Sequence, residues 1–345
     1  MKSPLNLAWL DKIRETPIDP DYPIIDPHHH LWLESLRRDF AYPIDELGKD
    51  ATSGHNILAT VYIQCVTQYR ASGPEHLKTV GETEWVERCA TEYTSQHPEG
   101  PDLCAGIVGH VDFRHDPVHV DEALAAHKAA SKRFRGIRQG GTWSDDNEIN
   151  QGRVIPQRHL YMDANFRKGF ARLEKNGLSF DAWCFHDQLP ELIDLARAFA
   201  DTPIVLDHFG GPLGQGRWAS QRETVFQDWK KSIVELARCP NVHIKLGGTV
   251  MPMFGFHWEQ RPLPPSSDDL VKATSHFFHT AIEAFSPSRC MFESNFPVDK
   301  IACAYVPLWN SFKKMAARYT EAERADLFRN TAKRFYRLDS IAVPG

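Results

Sequence analysis

The segment Asp26-Pro27-His28-His29-His30-Leu31-Trp32 follows directly on the apolar pair Ile24-Ile25. Side chains alternate faces along a strand, so His28 and His30 point one way and His29 the other. Two imidazoles converging at the end of a short buried strand can share a metal ion or a substrate oxygen. Further polar residues close other apolar runs: Gln64, His110 with Asp112, Arg138 with Gln139, His186, Asp207-His208, Lys245 and Asn295. A lone histidine in such a place is ordinarily a hydrogen-bonded core residue. Four of them, at 28, 30, 186 and 208, read as a functional cluster. Arg138, in Phe-Arg-Gly-Ile-Arg-Gln-Gly-Gly, offers a fork of donors for a carboxylate or carbonyl oxygen. Arg135 falls on the opposite face of a regular strand. Lys245 reads equally as a positive clamp or as a salt bridge at the strand's end. Tyr69 and Trp143 are read as pocket walls, Tyr62 as core.

These residues need a scaffold that gathers strand ends. Apolar, strand-like runs occur at 24–28, 57–65, 103–111, 134–138, 180–185, 203–207, 242–246 and 289–293. Helical patterns lie between or after them at 82–96, 118–131, 156–176, 188–200, 221–238, 267–285, 305–319 and 321–336, with Asn176-Gly177 as a helix stop. Strands that are apolar throughout and alternate with helices predict a (β/α)8 barrel of the TIM type, distorted, with long loops on its C-terminal face. A doubly wound open sheet is disfavoured. The pairs Gly140-Gly141, Gly210-Gly211 and Gly247-Gly248 follow strands without forming GxGxxG before a helix, and there is no phosphate-binding Walker sequence. One domain over 1–345 is expected: an N-terminal extension over 1–23, the barrel over 24–336 and a tail over 337–345. The aromatic and proline-rich segment 250–266, which contains Phe254, reads as a lid or pocket wall.

Bulk properties exclude several partners. The formal net charge of -5 comes with no sustained basic run, so neither nucleic acid nor an anionic membrane is an expected partner. No apolar stretch approaches about 18 residues, and the N-terminus leads into charge rather than a signal sequence, so a cytoplasmic protein is expected. The seven cysteines contain no CxxC and fall partly within apolar runs, as reduced core residues do. The expected partners are a small-molecule substrate and a second copy in a homodimer.

Ile-Ile-Asp-Pro-His-His-His-Leu-Trp, Val-Leu-Asp-His-Phe-Gly at 205–210 and Glu-Ser-Asn-Phe-Pro-Val at 293–298 together resemble the amidohydrolase superfamily. Within it, the resemblance is to the amidohydrolase 2 branch, with its sugar-acid lactonases and 2-pyrone-4,6-dicarboxylate lactonase, from about residue 24 to 336. The resemblance implies that His28 and His30 are the first-strand HxH pair, His186 the fifth-strand histidine and His208 the sixth-strand one, all four being catalytic or metal-binding positions. Arg138 matches a substrate-binding arginine. One position departs from the pattern. Such relatives carry Ser-Asp-Trp-Pro after strand eight, whereas Asn295 stands here in the place of that aspartate. An amide cannot take a proton from water near neutral pH. Glu293 and Asp299 are the nearest carboxylates, Glu293 deeper and suited to a salt bridge, Asp299 in the loop and suited to act as base.

The leading expectation is therefore a lactone or cyclic-ester hydrolase. His28 and His30 polarise the carbonyl, His186 and His208 orient substrate or water, and a histidine or Asp299 collects the proton. Arg138, Tyr69, Trp143, Lys245, Asn295 and Phe254 contact substrate. Replacing an anionic ligand by an amide at 295 weakens metal binding, so either no cofactor or one weakly bound divalent cation, zinc or manganese, is expected. The alternatives are a metal-dependent decarboxylase or other lyase that sandwiches an aromatic acid against Trp143 or Phe254, and a non-catalytic ligand-binding barrel.

Overall fold

The computed structural model describes residues 5–33, 39–150 and 155–342. Eight parallel strands run in sequence order around one sheet: β1 Ile24–His29, β2 Ile57–Ile63, β3 Asp102–Gly109, β4 Phe134–Arg138, β5 Ser179–Ala182, β6 Ile204–Leu206, β7 Val242–Leu246 and β8 Cys290–Phe292. Seven neighbouring pairs form parallel ladders. Just past β8 the eighth seam is closed. His29 bridges Phe296, the His30 N–H donates to Phe296 O at 2.7 Å, and the Asn295 N–H donates to His28 O at 2.9 Å. The fold is a (β/α)8 TIM barrel. Its closure is made by the same backbone that carries His28, His30 and Asn295.

Inside the barrel, Ile25, Val61, Val108, Val205 and Met291 meet Phe335, Tyr336 and Leu338 from the C-terminal segment, which plugs the end opposite the histidines. A larger apolar layer fills the space between strands and helices. Residues that point inward recur at every second position, as strand geometry requires. On β7, His243 lies against Phe335 and Lys245 reaches Asp181.

Two expected helices are subdivided. The 156–176 stretch contains a 3-10 turn, Leu160–Met162, then helices Ala164–Phe170 and Arg172–Asn176. Asp163 is the reason for the first break, because its carboxylate accepts the N–H groups of Asn165 and Phe166 and so starts a new helix. Gly177, left-handed at φ 62°, ends the second as expected. Over 321–336, helices Glu321–Ala325 and Thr331–Phe335 flank a π-helical turn, Asp326–Asn330. Residues 5–23 lie partly against helix Tyr305–Ala316, where Lys313 Nζ donates to the carbonyls of Ile18 and Asp19 at 2.8 and 2.7 Å. No helix among the described residues is long and apolar enough to cross a membrane.

Candidate active site

A cavity of about 700 Å³ opens at the C-terminal ends of the strands. Every strand end, or the loop after it, supplies wall residues. They are His30 from β1, Gln64 from β2, His110 from β3, Arg138 and Gln139 from β4, Trp183 from β5, His208 from β6, Met251 and Met253 after β7 and Asn295 after β8. This is the face on which barrels of this kind carry their chemistry.

The histidines are held by specific partners. His30 Nδ1 stands 2.7 Å from Ile63 O, which fixes its proton there and leaves Nε2 as an acceptor. That Nε2 lies 3.3 Å from His28 Nε2. His29 turns away, its ring against Tyr62 and its Nε2 2.9 Å from Thr60 Oγ1. His208 donates from Nδ1 to Glu293 Oε1 at 2.6 Å, so Nε2 is the nitrogen it has left for the cavity. The other oxygen of Glu293 stands 2.9 Å from His28 Nδ1. That contact is not a hydrogen bond, because His28 Nδ1 accepts from the Lys245 ammonium at 3.0 Å, so the carboxylate orients His208 alone.

This arrangement needs glycine and a bent backbone. A Cβ at Gly247 would stand 2.4 Å from Glu293 Cγ, and one at Gly248 2.7 Å from His208 Nδ1. The Gly247-Gly248 pair after β7 therefore makes room for the Glu293–His208 contact. His208 (φ 51°) and Asn295 (φ 55°) both occupy left-handed backbone, which non-glycine residues enter at a cost of order 1–3 kcal/mol and which clusters at functional sites.

Beneath the histidines lies a fully buried ion network. Lys245 Nζ is 2.7 Å from Asp181 Oδ2, 3.0 Å from Asp207 Oδ1 and 3.0 Å from His28 Nδ1. Tyr336 from the barrel plug donates to the same Asp181 oxygen at 2.7 Å. Burial disfavours the lysine's charge, but Asp181, Asp207 and Glu293 outweigh it and raise its pKa, so it stays an ammonium. Burial pushes Asp181 up to about 6 despite Lys245. Burial also acts upward on Asp207, yet Lys245, His208 and Arg138 hold it below the usual carboxylate range. His28 is held well below the ordinary histidine value, first by burial and then by Lys245, and stays neutral.

Glu293 has a consequence for stability. Burial acts upward on its pKa, but His208 and His28 more than offset this and bring it down from 4.5 to about 2. A carboxylate depressed in the folded state stabilises it above the unfolded pKa and loses that contribution as pH falls through the folded one. The unfolding midpoint is expected to drop between pH 4.5 and about 2, with a flatter profile over that window in Glu293→Gln. Denaturant titrations at stepped pH check this. Asp26, raised to about 6 by burial, works with the opposite sign, and its contribution fades as pH rises through about 6.

The profile of a family described as Amidohydrolase matches residues 25–338. The chain belongs to the amidohydrolase family. Among its relatives, the protein y4mH of Sinorhizobium fredii is 31% identical over 341 residues, covering 92% of this chain and 99% of that one. An L-fucono-1,5-lactonase of Burkholderia ambifaria is 26% identical over 331 residues, covering 91% and 96%. Of solved structures, an amidohydrolase from Burkholderia multivorans with bound zinc superposes with a TM-score of 0.66 at 24% identity, covering 91% and 99%. Family membership makes this chain an enzyme of the hydrolase class.

Of the residues expected at the amidohydrolase site, His30, His208, Arg138, Tyr69 and Asn295 line the cavity, and His28 lies directly beneath it. The rest are placed elsewhere. His186 accepts from the Leu213 N–H at 3.4 Å and meets the Trp218 ring edge-on, with burial lowering its pKa to about 4. Asp299 lies behind the wall, where Asn295 Nδ2 donates to its Oδ1 at 2.7 Å and burial raises its pKa well above the usual range. Trp143 is covered by the Arg158 guanidinium, 4.6 Å from its ring, and Phe254 is buried without lining the cavity. Lys245 sits inside the barrel. The strand-end residues Gln64, His110, Asp112 and Gln139 line the cavity, as does Trp183, for which no role was expected.

Two positions among the described residues at the cavity floor are candidates for a cation in this amidohydrolase. The ligand atoms of His28, Asp207 and His208 lie within 4.8 Å of one another, but the Lys245 ammonium already stands against two of these residues. The Nε2 atoms of His28 and His30 fit better. Their 3.3 Å separation is that of two nitrogens on one tetrahedral zinc at about 2.0–2.1 Å. His30 offers a lone pair there, and His28 would offer one on moving its proton from Nε2 to Nδ1, toward Glu293 and in place of the Lys245 hydrogen bond.

Proposed function

We propose that this amidohydrolase opens a lactone, or a related cyclic ester, of a small carboxylated or polyhydroxylated substrate. The observation that carries the reading is the His208–Glu293 pair at the cavity floor, a base held in one tautomer by a buried carboxylate. The L-fucono-1,5-lactonase relative supports the substrate class.

His208 Nε2 takes a proton from water as the oxygen attacks the ring carbonyl, and Glu293 stabilises the imidazolium that forms. Collapse of the tetrahedral intermediate breaks the ring ester bond, and His208 returns the proton to the departing alkoxide. Arg138 supplies positive charge for the oxyanion or a substrate carboxylate. Arg114, also on the wall, is spent on Asp112, with Nη2 to Oδ2 at 2.6 Å. Asn295 Oδ1 is buried with no hydrogen-bond partner in the protein and faces the role of acceptor for water or a substrate hydroxyl. A divalent ion held by His28 and His30 would polarise the carbonyl when bound.

A panel of sugar-acid and carboxylated aromatic lactones, followed by acid release with a pH indicator, tests this reading. Turnover of at least one lactone is expected. A protein inert toward all of them that binds one tightly is a binding barrel, and one that instead releases carbon dioxide from aromatic acids is a lyase. In the same protein, Asn295→Asp is expected to tighten zinc binding by about tenfold, or 1.4 kcal/mol, because a carboxylate replaces a neutral amide beside the histidine pair. Equilibrium dialysis of both proteins gives the comparison, and equal affinities would place residue 295 outside any metal site.

A further inference from the structure

A second group of metal-ligating side chains lies on the outer surface, where the catalytic reading does not use it. His76 sits in the 3-10 turn Glu75–Leu77, in the connection that follows β2. His119 and Glu122 are three residues apart on helix Pro117–Ala130 and so share a face. His76 Nε2 stands 2.8 Å from Glu122 Oε2, and the His76 and His119 rings stack with centroids 4.4 Å apart at 20°. One ligand atom from each of the three residues falls within 4.8 Å of the others.

We propose that His76, His119 and Glu122 form a divalent-cation site of the two-histidine, one-carboxylate type, suited to zinc. Imidazole nitrogen and carboxylate oxygen are the donors that zinc takes, and a three-residue set leaves a position for water. Ligands on a tetrahedral zinc at about 2.0–2.1 Å stand about 3.3 Å apart, so the ligand atoms need to close by about 1.5 Å at most, and one of the two stacked rings turns so that its in-plane lone pair meets the other's. Glu122 is half exposed and free to make that move.

The location gives the site a consequence. The connection that carries His76 also carries Cys65, Val66, Thr67 and Tyr69 on the cavity wall. A cation joining His76 to the helix fastens the far end of that segment to the barrel's outer layer, and so acts on the wall without touching the reacting atoms.

Zinc chloride is titrated calorimetrically into chelator-treated protein, comparing wild type with His119→Ala and Glu122→Gln. The barrel histidines are identical in all three, so any difference counts the outer site. Wild type is expected to bind one more equivalent than either variant, and zinc to raise the wild-type melting temperature by more than it raises theirs. Zinc-free melting temperatures equal to wild type establish that the exposed substitutions leave the fold intact. Equal stoichiometry and affinity in all three proteins overturns the proposal, as does a wild-type isotherm with only the binding that both variants retain.

Discussion

His208→Ala is expected to lower kcat/KM for lactone opening by about 10²–10⁴-fold, the range for loss of a positioned proton-transfer group. The expectation follows from the division of labour on its ring. Nδ1 is committed to Glu293 at 2.6 Å, so the nitrogen left over is the one beside the cavity. Glu293→Gln tests the same pair from below. An amide accepts from Nδ1 through its oxygen but carries no charge to stabilise an imidazolium, and its NH2 is directed to His28 Nδ1, which already receives Lys245. A fall of about 10²-fold or more is expected there too, because a neutral partner also permits the wrong tautomer. Steady-state rates on the best lactone of the panel measure both effects, with circular dichroism to establish folding. Wild-type turnover in His208→Ala would remove the histidine from the proton's path and leave Glu293 as a purely structural ion.

The barrel was legible because its signal repeats. Each strand is a continuous apolar run, and each ends in residues too polar for a core. The same rule reached His30, Arg138, His208 and Asn295, all of which line the cavity. It failed where a strand-end residue turns to a neighbouring loop. His186 lies just past the short β5, Ser179–Ala182, and begins a 3-10 turn that carries its ring toward Trp218. Periodicity over four residues does not reveal such a turn. Asp299 looked suited to replace the missing aspartate by sequence distance alone, but the turn after Asn295 folds it behind the wall, where its partner is Asn295 itself. Glu293 shows the opposite case. Its depth was readable, and a salt bridge was the expected role, yet nothing in the sequence tells that its two oxygens divide between His28 and His208. Gly247-Gly248 is the one local sign of that contact, and its meaning depends on atoms from β6 and β8.

Lys245→Met is expected to destabilise the fold by about 3–5 kcal/mol, the cost of removing one partner from a buried ion pair and leaving the other uncompensated. The lysine is fully buried and pairs with both Asp181 and Asp207, so its loss leaves two carboxylates and Glu293 without the cation that offsets them. Asp181 is the carboxylate better able to adapt. Burial already raises its pKa to about 6, and it takes up a proton more readily than Asp207, which His208 and Arg138 also hold ionised. Adding Asp181→Asn to Lys245→Met is therefore expected to recover part of the loss, and the two substitutions together to cost less than their sum, as coupled neighbours do. The midpoint of guanidinium unfolding for wild type, each single variant and the double variant gives this coupling. Strict additivity would mean that the 2.7 Å contact contributes nothing beyond its parts. A catalytic effect accompanies the structural one. With Lys245 gone, His28 Nδ1 is free to donate to Glu293, which competes with His208 for the same carboxylate, so kcat falls in the single variant beyond what the loss of folded protein explains. Lys245, whose place at the end of a strand reads equally as a substrate clamp or a salt bridge, is buried inside the barrel, so on this prediction it acts through the histidines above it.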